Sequence, residues 1–309
     1  MDNQLIWADN SIMNTLHIAS ADLIYMDPPF NSRLDYRVKS QKKGNPIAFS
    51  DSWRWEERAQ AMWEELHHKG LPTLEATLEH LQAGLGFSAT LAYLTILTGQ
   101  LVSAHRLLKA TGSIYLHCSS NYSHYLRLLM EAIFGASNFR NQIIWSYRTG
   151  GVSKRHFARK HDVLLFFSKS EDYCFTPPQY RSYQKKRYGY NPRYPEYYDA
   201  ERKAYYHLAV CRDVWEDIPA IGTANRERTG FPTQKPRALL ERILQASTEP
   251  GQLVVDPFCG SGTTLVVADA LGRKWLGIDR SPDAIRTTQK RLADNGITDF
   301  RLVQEEKNP

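Results

Sequence analysis

Two short stretches place an acid where an apolar run gives way to a turn. In "MDPPFN", Met26 to Asn31, the run Leu23-Ile24-Tyr25 ends on Asp27, two prolines and Phe30. A carboxylate there can accept hydrogen bonds, the prolines fix the direction of the Pro28 carbonyl, and the ring offers a flat apolar surface. In "VVDPFCGSGTT", Val254 to Thr264, a second run meets Asp256-Pro257-Phe258 and then Gly260-Ser261-Gly262. Those glycines let the backbone pass close to a ligand before a helix begins, and the first amides of that helix suit an anion. The stretch is not a Walker A loop, since no Lys-Ser/Thr follows the glycines, and it lacks the third glycine of the dinucleotide fingerprint. The next strand ends in Gly277-Ile278-Asp279, about twenty residues on, where an acid can hold ribose hydroxyls. Ribose ligand and helix end together point to a nucleoside that carries a carboxylate. A turn that only ends a strand, or a glycine turn beside an exposed acid, would explain either stretch alone.

The elements that must hold these residues alternate between strand and helix, the pattern of a mostly parallel sheet covered on both faces. Leu5-Ile6-Trp7-Ala8 and Leu23-Ile24-Tyr25-Met26 read as neighbouring buried strands, joined by a short helix around Ser11 to Leu16. Within residues 31 to 72, "AFSDSWRWEERAQAMWEEL" suggests an amphipathic helix after a loop. Helical spacing runs from Ala89 to Leu108, Gly112 opens the strand Ser113 to His117, and a helix follows from about Ser123 to Phe134. "NQIIWSYR" and "HDVLLFFSK" read as two strands paired across a basic loop. "QKPRALLERILQAS", "GTTLVVADALG" and "SPDAIRTTQKRLADNG" read as helices, and "QLVVDPF" and "KWLGID" as strands. No internal repeat appears.

Composition is that of an ordinary globular chain of 309 residues, 42% of them hydrophobic. Its apolar runs fall far short of the ~20 residues of a membrane span, and Met1-Asp2-Asn3-Gln4 is no signal-peptide start, so a cytoplasmic protein is expected. Cys118, Cys174, Cys211 and Cys259 form no C-x-x-C pair, which argues against a disulfide framework or a metal site. A net charge of +6 favours an anionic partner. Its distribution is informative. Between Arg148 and Asp162, Gly150 and Gly151 free the backbone beside Lys154, Arg155, Arg159 and Lys160, a loop suited to phosphates. Further on, ten of the seventeen tyrosines are interleaved with Arg181, Lys185, Lys186, Arg187 and Arg193. Rings beside cations can stack on bases and neutralise phosphates, although any single tyrosine is as readily explained by packing on the protein.

"DPPF" and "DPFCGSGTT" resemble the catalytic and cofactor motifs of the DNA amino-methyltransferases, and their order, with the catalytic motif first, is similar to the beta class. "GSIYLHCSSNYSHYLRLLMEAIFG", "FARKHDVLLFFSKS", "ERTGFPTQKPRALLERIL" and "RKWLGIDRSPDAI" extend the likeness over nearly the whole chain. Ser119-Ser120 departs from it, where many family members have an acid and a proline. The resemblance implies a Rossmann-like methyltransferase sheet, circularly permuted, with an antiparallel strand at one edge and S-adenosyl-L-methionine as cofactor. Residues 1–150 would form the catalytic half, with 31–88 an insert closing over DNA or forming a homodimer contact. Residues 151–225 would carry target recognition and 226–309 the cofactor half. Asp27, Pro28, Pro29 and Phe30 would then be catalytic. Phe258, Gly260, Ser261, Gly262 and Thr263 would surround the methionine part of the cofactor with Asp256 beside them. Asp279 would hold the ribose, Lys235 and Pro236 would meet the carboxylate, and Asp9 would lie near the adenine. The partner implied is double-stranded DNA, with a companion restriction endonuclease compatible. Asp at position 27 resembles the adenine-N6 subgroup; cytosine-N4 transfer and a catalytically silent DNA-binding protein are the alternatives.

Overall fold

The computed structural model describes residues 2–37, 47–184, 195–222 and 225–304. Lys185, Lys186 and Arg187, expected at DNA, lie outside the described residues. The first elements are β1 (Gln4–Trp7), β2 (Ala21–Met26), β3 (Asp35–Arg37) and β4 (Ile47–Ser50), then helices α1 (Glu57–His67), α2 (Pro72–Leu85) and α3 (Ala89–Leu107). Next come β5 (Leu108–Ser119), α4 (Ser123–Phe134), β6 (Phe139–Ser146) and β7 (His161–Ser168). Four strands follow: β8 (Gln179–Gln184), β9 (Tyr197–Asp199), β10 (Ala204–Val210) and β11 (Val214–Trp215). The last described elements are α5 (Arg237–Ser247), β12 (Leu253–Asp256), α6 (Thr263–Ala270), β13 (Lys274–Asp279), α7 (Pro282–Asp294) and β14 (Arg301–Gln304).

Nine strands form one sheet in the order β11-β6-β7-β5-β2-β12-β13-β1-β14. Neighbours are parallel except at β7, which runs antiparallel to both β5 and β6. The reversed strand, expected at the edge, stands third from it because β6 and β11 add beyond it. Nor are β1 and β2 neighbours, as their sequences suggest: β12 and β13 stand between them. An apolar run specifies burial but not a pairing partner, and the permuted order inserts late strands between early ones.

All six residues of β2 are buried, as a strand covered on both faces requires. Its side chains alternate: Ile24 and Met26 join the core formed with α2, α3 and α4, while Leu23 and Tyr25 join the core formed with α5, α6 and α7. Helix α3 is buried nearly all round, and α1 approaches it at Gly99, where a Cβ would overlap Met62 Sδ. Helix α2 was not among the expected elements, although Leu74, Leu78 and Leu81, which line its buried face at helical spacing, and Pro72 at its start are helix signals. The helix expected over "AFSDSWRWEERAQAMWEEL" begins only at Glu57, with Phe49 and Ser50 in β4. No helix among the described residues is long and apolar enough to cross a membrane.

Candidate active site

β2 ends at Met26, so Asp27 leaves the sheet at the carboxyl edge, where the parallel strands β1, β12 and β13 also end. One cleft of about 380 Å³ runs along this edge. Of the residues expected at the two sites, Asp9, Asp27, Pro28, Pro29, Phe30, Lys235, Asp256, Phe258, Gly260, Ser261, Thr263 and Asp279 all line it. Pro236 and Gly262 stand behind it, as the N-caps of α5 and α6. The open α/β sheet thus gathers both motifs at the place where such sheets bind ligands.

Asp27 is 16% exposed and pairs with Lys235, whose ammonium lies 2.5 Å from Oδ2. Lys235 also sits 5.3 Å from the centre of the Phe30 ring. The ammonium expected at a cofactor carboxylate therefore serves that role only by leaving or sharing Asp27. The turn after it is held by a residue that sequence reasoning missed. Asp51 is buried, and its carboxylate accepts from the backbone N–H of Phe30 (3.1 Å), Asn31 (2.8 Å) and Ser32 (2.7 Å) and from Trp53 Nε1 (3.1 Å). These bonds hold Asn31 in the left-handed region, φ 57°. Nothing local in "SDSW" signals this, because the partners are about twenty residues upstream. Tyr36, Phe49, Asp51, Trp53 and Arg58 line the cleft, so part of the insert is a wall of the site.

Beneath Phe30 lies a second unforeseen group. The Phe30 ring is tilted over that of His117, centroids 5.6 Å apart. His117 is fully buried; Nδ1 meets the Tyr25 hydroxyl (2.9 Å) and Nε2 the Asp162 carboxylate (3.2 Å), which also accepts from Tyr147 (3.1 Å). Burial raises the Asp162 pKa, but His117, Lys235 and Tyr147 outweigh it and leave the carboxyl below its ordinary value.

The glycine loop is closed by internal bonds. Asp279 accepts from Gly260 N (2.9 Å) and Ser281 N (2.8 Å), and burial raises its pKa despite them. Asp256 accepts from Phe258 N (2.9 Å) and from the Thr264 hydroxyl (2.5 Å). Burial, opposed by those two bonds and assisted by Asp27 and Asp279, pushes its pKa up to about 7. Gly262 adopts φ 73°, and a Cβ there would lie 2.8 Å from Thr288 Cγ2, so the turn requires glycine. Arg291, only 6% exposed, donates to the Thr263 hydroxyl (2.6 Å) and the Ser261 carbonyl (3.3 Å). It tethers the loop to α7, another residue without a local sequence signal. Asp9 accepts from Ser11 N (3.1 Å) and pairs with Arg58 (3.1 Å). Cys118 and Cys259 are buried with their thiol pKa values pushed up, which suppresses the nucleophilic thiolate.

The basic loop between β6 and β7 projects from the same edge, since the strands pair as Ser146 with His161. Lys154, Arg155 and Arg159 are exposed and Lys160 half-buried. Arg159 donates to Asn121 (3.1 Å) and Lys160 to the Arg148 carbonyl (3.1 Å). The tyrosine-rich segment contains an unforeseen antiparallel sheet, β8-β10-β9. Its tyrosines pack on one another, Tyr183 and Tyr197 each 5.5 Å from Tyr206 and Tyr198 5.1 Å from Tyr205. Tyr197 and Tyr198 nevertheless stay exposed, at 42% and 56%.

The cleft fits the expected nucleoside cofactor by its lining: the acids Asp256 and Asp279 at adjacent strand ends, an aromatic ring at Phe258, and a helix start capped by glycine alone. In the fold comparison, TTHA0409 from Thermus thermophilus, complexed with S-adenosyl-L-methionine, superposes over 99% of this chain and 100% of its own with a TM-score of 0.58 at 17% identity. Fold and site together define a Rossmann-like S-adenosylmethionine-dependent methyltransferase. The DNA methylase family model for N6 and N4 amino-methyltransferases matches residues 21–290, and the chain belongs to that family. The DNA adenine methyltransferase YhdJ of Escherichia coli K12 is 34% identical over 62% of this chain and 64% of its own length. The type II methyltransferase M.HpaI of Haemophilus parainfluenzae is 30% identical over 99% of this chain and 78% of its own.

Proposed function

We propose that the protein is a site-specific DNA methyltransferase that modifies the exocyclic N6 of adenine in a base rotated out of the duplex. The observation that carries this reading is the convergence of Asp27, Pro28 and Phe30 with the glycine loop in one cleft. An exocyclic amine is a poor nucleophile because its lone pair is delocalised into the ring. Asp27 accepts one amino hydrogen and the Pro28 carbonyl the other, which turns the lone pair out of conjugation and toward an incoming electrophile. The two prolines hold that carbonyl, and Asp51 holds the turn behind it. Phe30, backed by His117, stacks on the extruded base. The cofactor supplies an electrophilic methyl group on a sulfonium. Asp279 and Asp9 are assigned to its nucleoside, Phe258 and Gly260 to Thr263 to its methionine part, and Lys235 with Pro236 to its carboxylate.

Adenine is preferred because the turn begins with Asp27 rather than Ser and because one relative is named an adenine methyltransferase. Residues 1–150 and 226–309 act as the two halves of the catalytic domain, and 151–225 carries recognition. Arg155 and Arg159 hold phosphates, with Lys154 and Lys160 beside them, and a restriction endonuclease would share the recognised site. Mass spectrometry of nucleosides from DNA treated with the protein and S-adenosylmethionine tests the reading. N6-methyladenine is expected; N4-methylcytosine would keep the mechanism and change the base, and unmodified DNA would remove the function.

A further inference from the structure

We infer that Phe157 enters the DNA base stack and occupies the place vacated by the target base. This rests on the reading above that the target is extruded. Phe157 is 99% exposed, although it belongs to a chain that shelters its other described rings far better. The next most exposed phenylalanine, Phe87 at 54%, leans on Trp55. A phenyl ring held in water gains by burial, and this one stands among exposed cations on the sheet edge that carries the cleft.

The loop is shaped to present that ring. Its root is tied, since Tyr147 N donates to the Lys160 carbonyl (3.0 Å) and Lys160 and Arg159 are bound as described. Its tip is folded on Ser153, whose hydroxyl accepts from Arg155 N (3.2 Å) and His156 N (3.3 Å). Exposed Lys154 and Arg155 precede the ring and Arg159 follows it. A flat apolar side chain between cations is the composition of an intercalating wedge: the cations bind phosphates while the ring replaces lost stacking. The place is also right. The same loop root carries Tyr147 and Asp162, which connect through His117 to Phe30. One loop thus reaches from the seat proposed for the extruded base to the duplex it leaves.

Phe157 is a positioning residue, and its full exposure means that replacing it leaves the core intact. The test uses the full-length protein and a duplex with 2-aminopurine at the methylated position, mapped from product DNA. Phe157→Ala should lower the fluorescence of the extruded base and single-turnover methylation about tenfold or more, with Phe157→Trp restoring both to within about threefold. Substituting benzoylphenylalanine at 157 should give a photo-crosslink to the base opposite the target or its immediate neighbours. Unchanged fluorescence and turnover in Phe157→Ala, or a crosslink confined to another protein chain or to distant DNA, would overturn the inference. Failure of the wild-type protein to methylate DNA would instead remove the underlying reading.

Discussion

The turns after β2 and β12 are spelled almost alike, Asp27-Pro28-Pro29-Phe30 and Asp256-Pro257-Phe258, on strands that pair side by side. Their acids nevertheless have opposite surroundings. Both line the cleft, but Asp27 has an ammonium for a partner, whereas Asp256 is 3% exposed and holds a hydroxyl and a backbone N–H of its own loop. In the proposed function the first carboxylate meets the target amine, while the second is bonded to its own glycine turn. The extra proline contributes to this difference. It moves the ring one position further from the acid and leaves the Pro28 carbonyl in the turn between them, while Asp256 bonds back to Phe258 N and closes its turn on itself.

The strongest test of this contrast is Asp27→Ala, which should reduce methyl transfer by about a thousandfold or more, since each ~1.4 kcal/mol of lost transition-state stabilisation is a tenfold loss in rate. Transfer of labelled methyl groups to DNA measures it, alongside unchanged folding by circular dichroism; near-normal turnover would erase the distinction between the two acids. A smaller effect is expected at Asp279, the third acid of the edge. Asp279→Ala should weaken S-adenosylmethionine binding about ten- to a hundredfold, the loss of one charge-assisted hydrogen bond of roughly 1.5 to 3 kcal/mol. Calorimetric titration that found equal affinity would remove Asp279 from the cofactor site. Phe30→Ala should cost ~1 to 3 kcal/mol of stacking, read as lower 2-aminopurine fluorescence at the target while Asp27→Ala still extrudes the base. Equal fluorescence in both variants would show that the ring does not hold the base.

The remaining test concerns Asp256 and reads stability rather than turnover. Its pKa of about 7 in the fold lies above the 3.8 of an unperturbed carboxyl. Between pH about 4 and about 7 the folded chain keeps a proton that the unfolded chain has lost, so this contribution is full below that window and declines as pH rises through it. The slope approaches ~1.4 kcal/mol per pH unit. Asp256→Asn, neutral throughout and still able to accept from Phe258 N, should flatten the dependence of urea midpoints on pH across this range. A variant with the wild-type slope would place the titrating group elsewhere.

Both acids were legible in the sequence for the same reason: an apolar run of three or four residues followed by Asp-Pro announces a buried strand stopped by a turn, which is local information. The pairing order was not local. Nothing in Leu5 to Ala8 says that β13 and β14, whose residues lie at the other end of the chain, flank β1. The same limit hid Asp51, Arg291 and the contact of Lys235 with Asp27, each joined to a distant segment. Helix α2 differs, since Leu74, Leu78 and Leu81 at helical spacing and Pro72 at its start are local signals, whereas the edge strand β14 is set by its pairing with β1 rather than by its own spacing.

Asp51 binds three consecutive backbone N–H groups of the β2 turn from a segment about twenty residues away, and this joins two pieces of chain into one cooperative unit. The amide hydrogens of Phe30, Asn31 and Ser32 can exchange with solvent deuterium only when that carboxylate lets go. Their exchange rates therefore report how often the segment around Asp51 lifts from the sheet, in a protein whose global unfolding would be far rarer. Asp51→Asn, with a single acceptor oxygen in place of two, should speed exchange at these three amides while leaving those in the middle of β2 as slow as before. For the proposed admission of a whole base from a duplex, the bonds that would have to give for this wall to lift are those of one buried carboxylate.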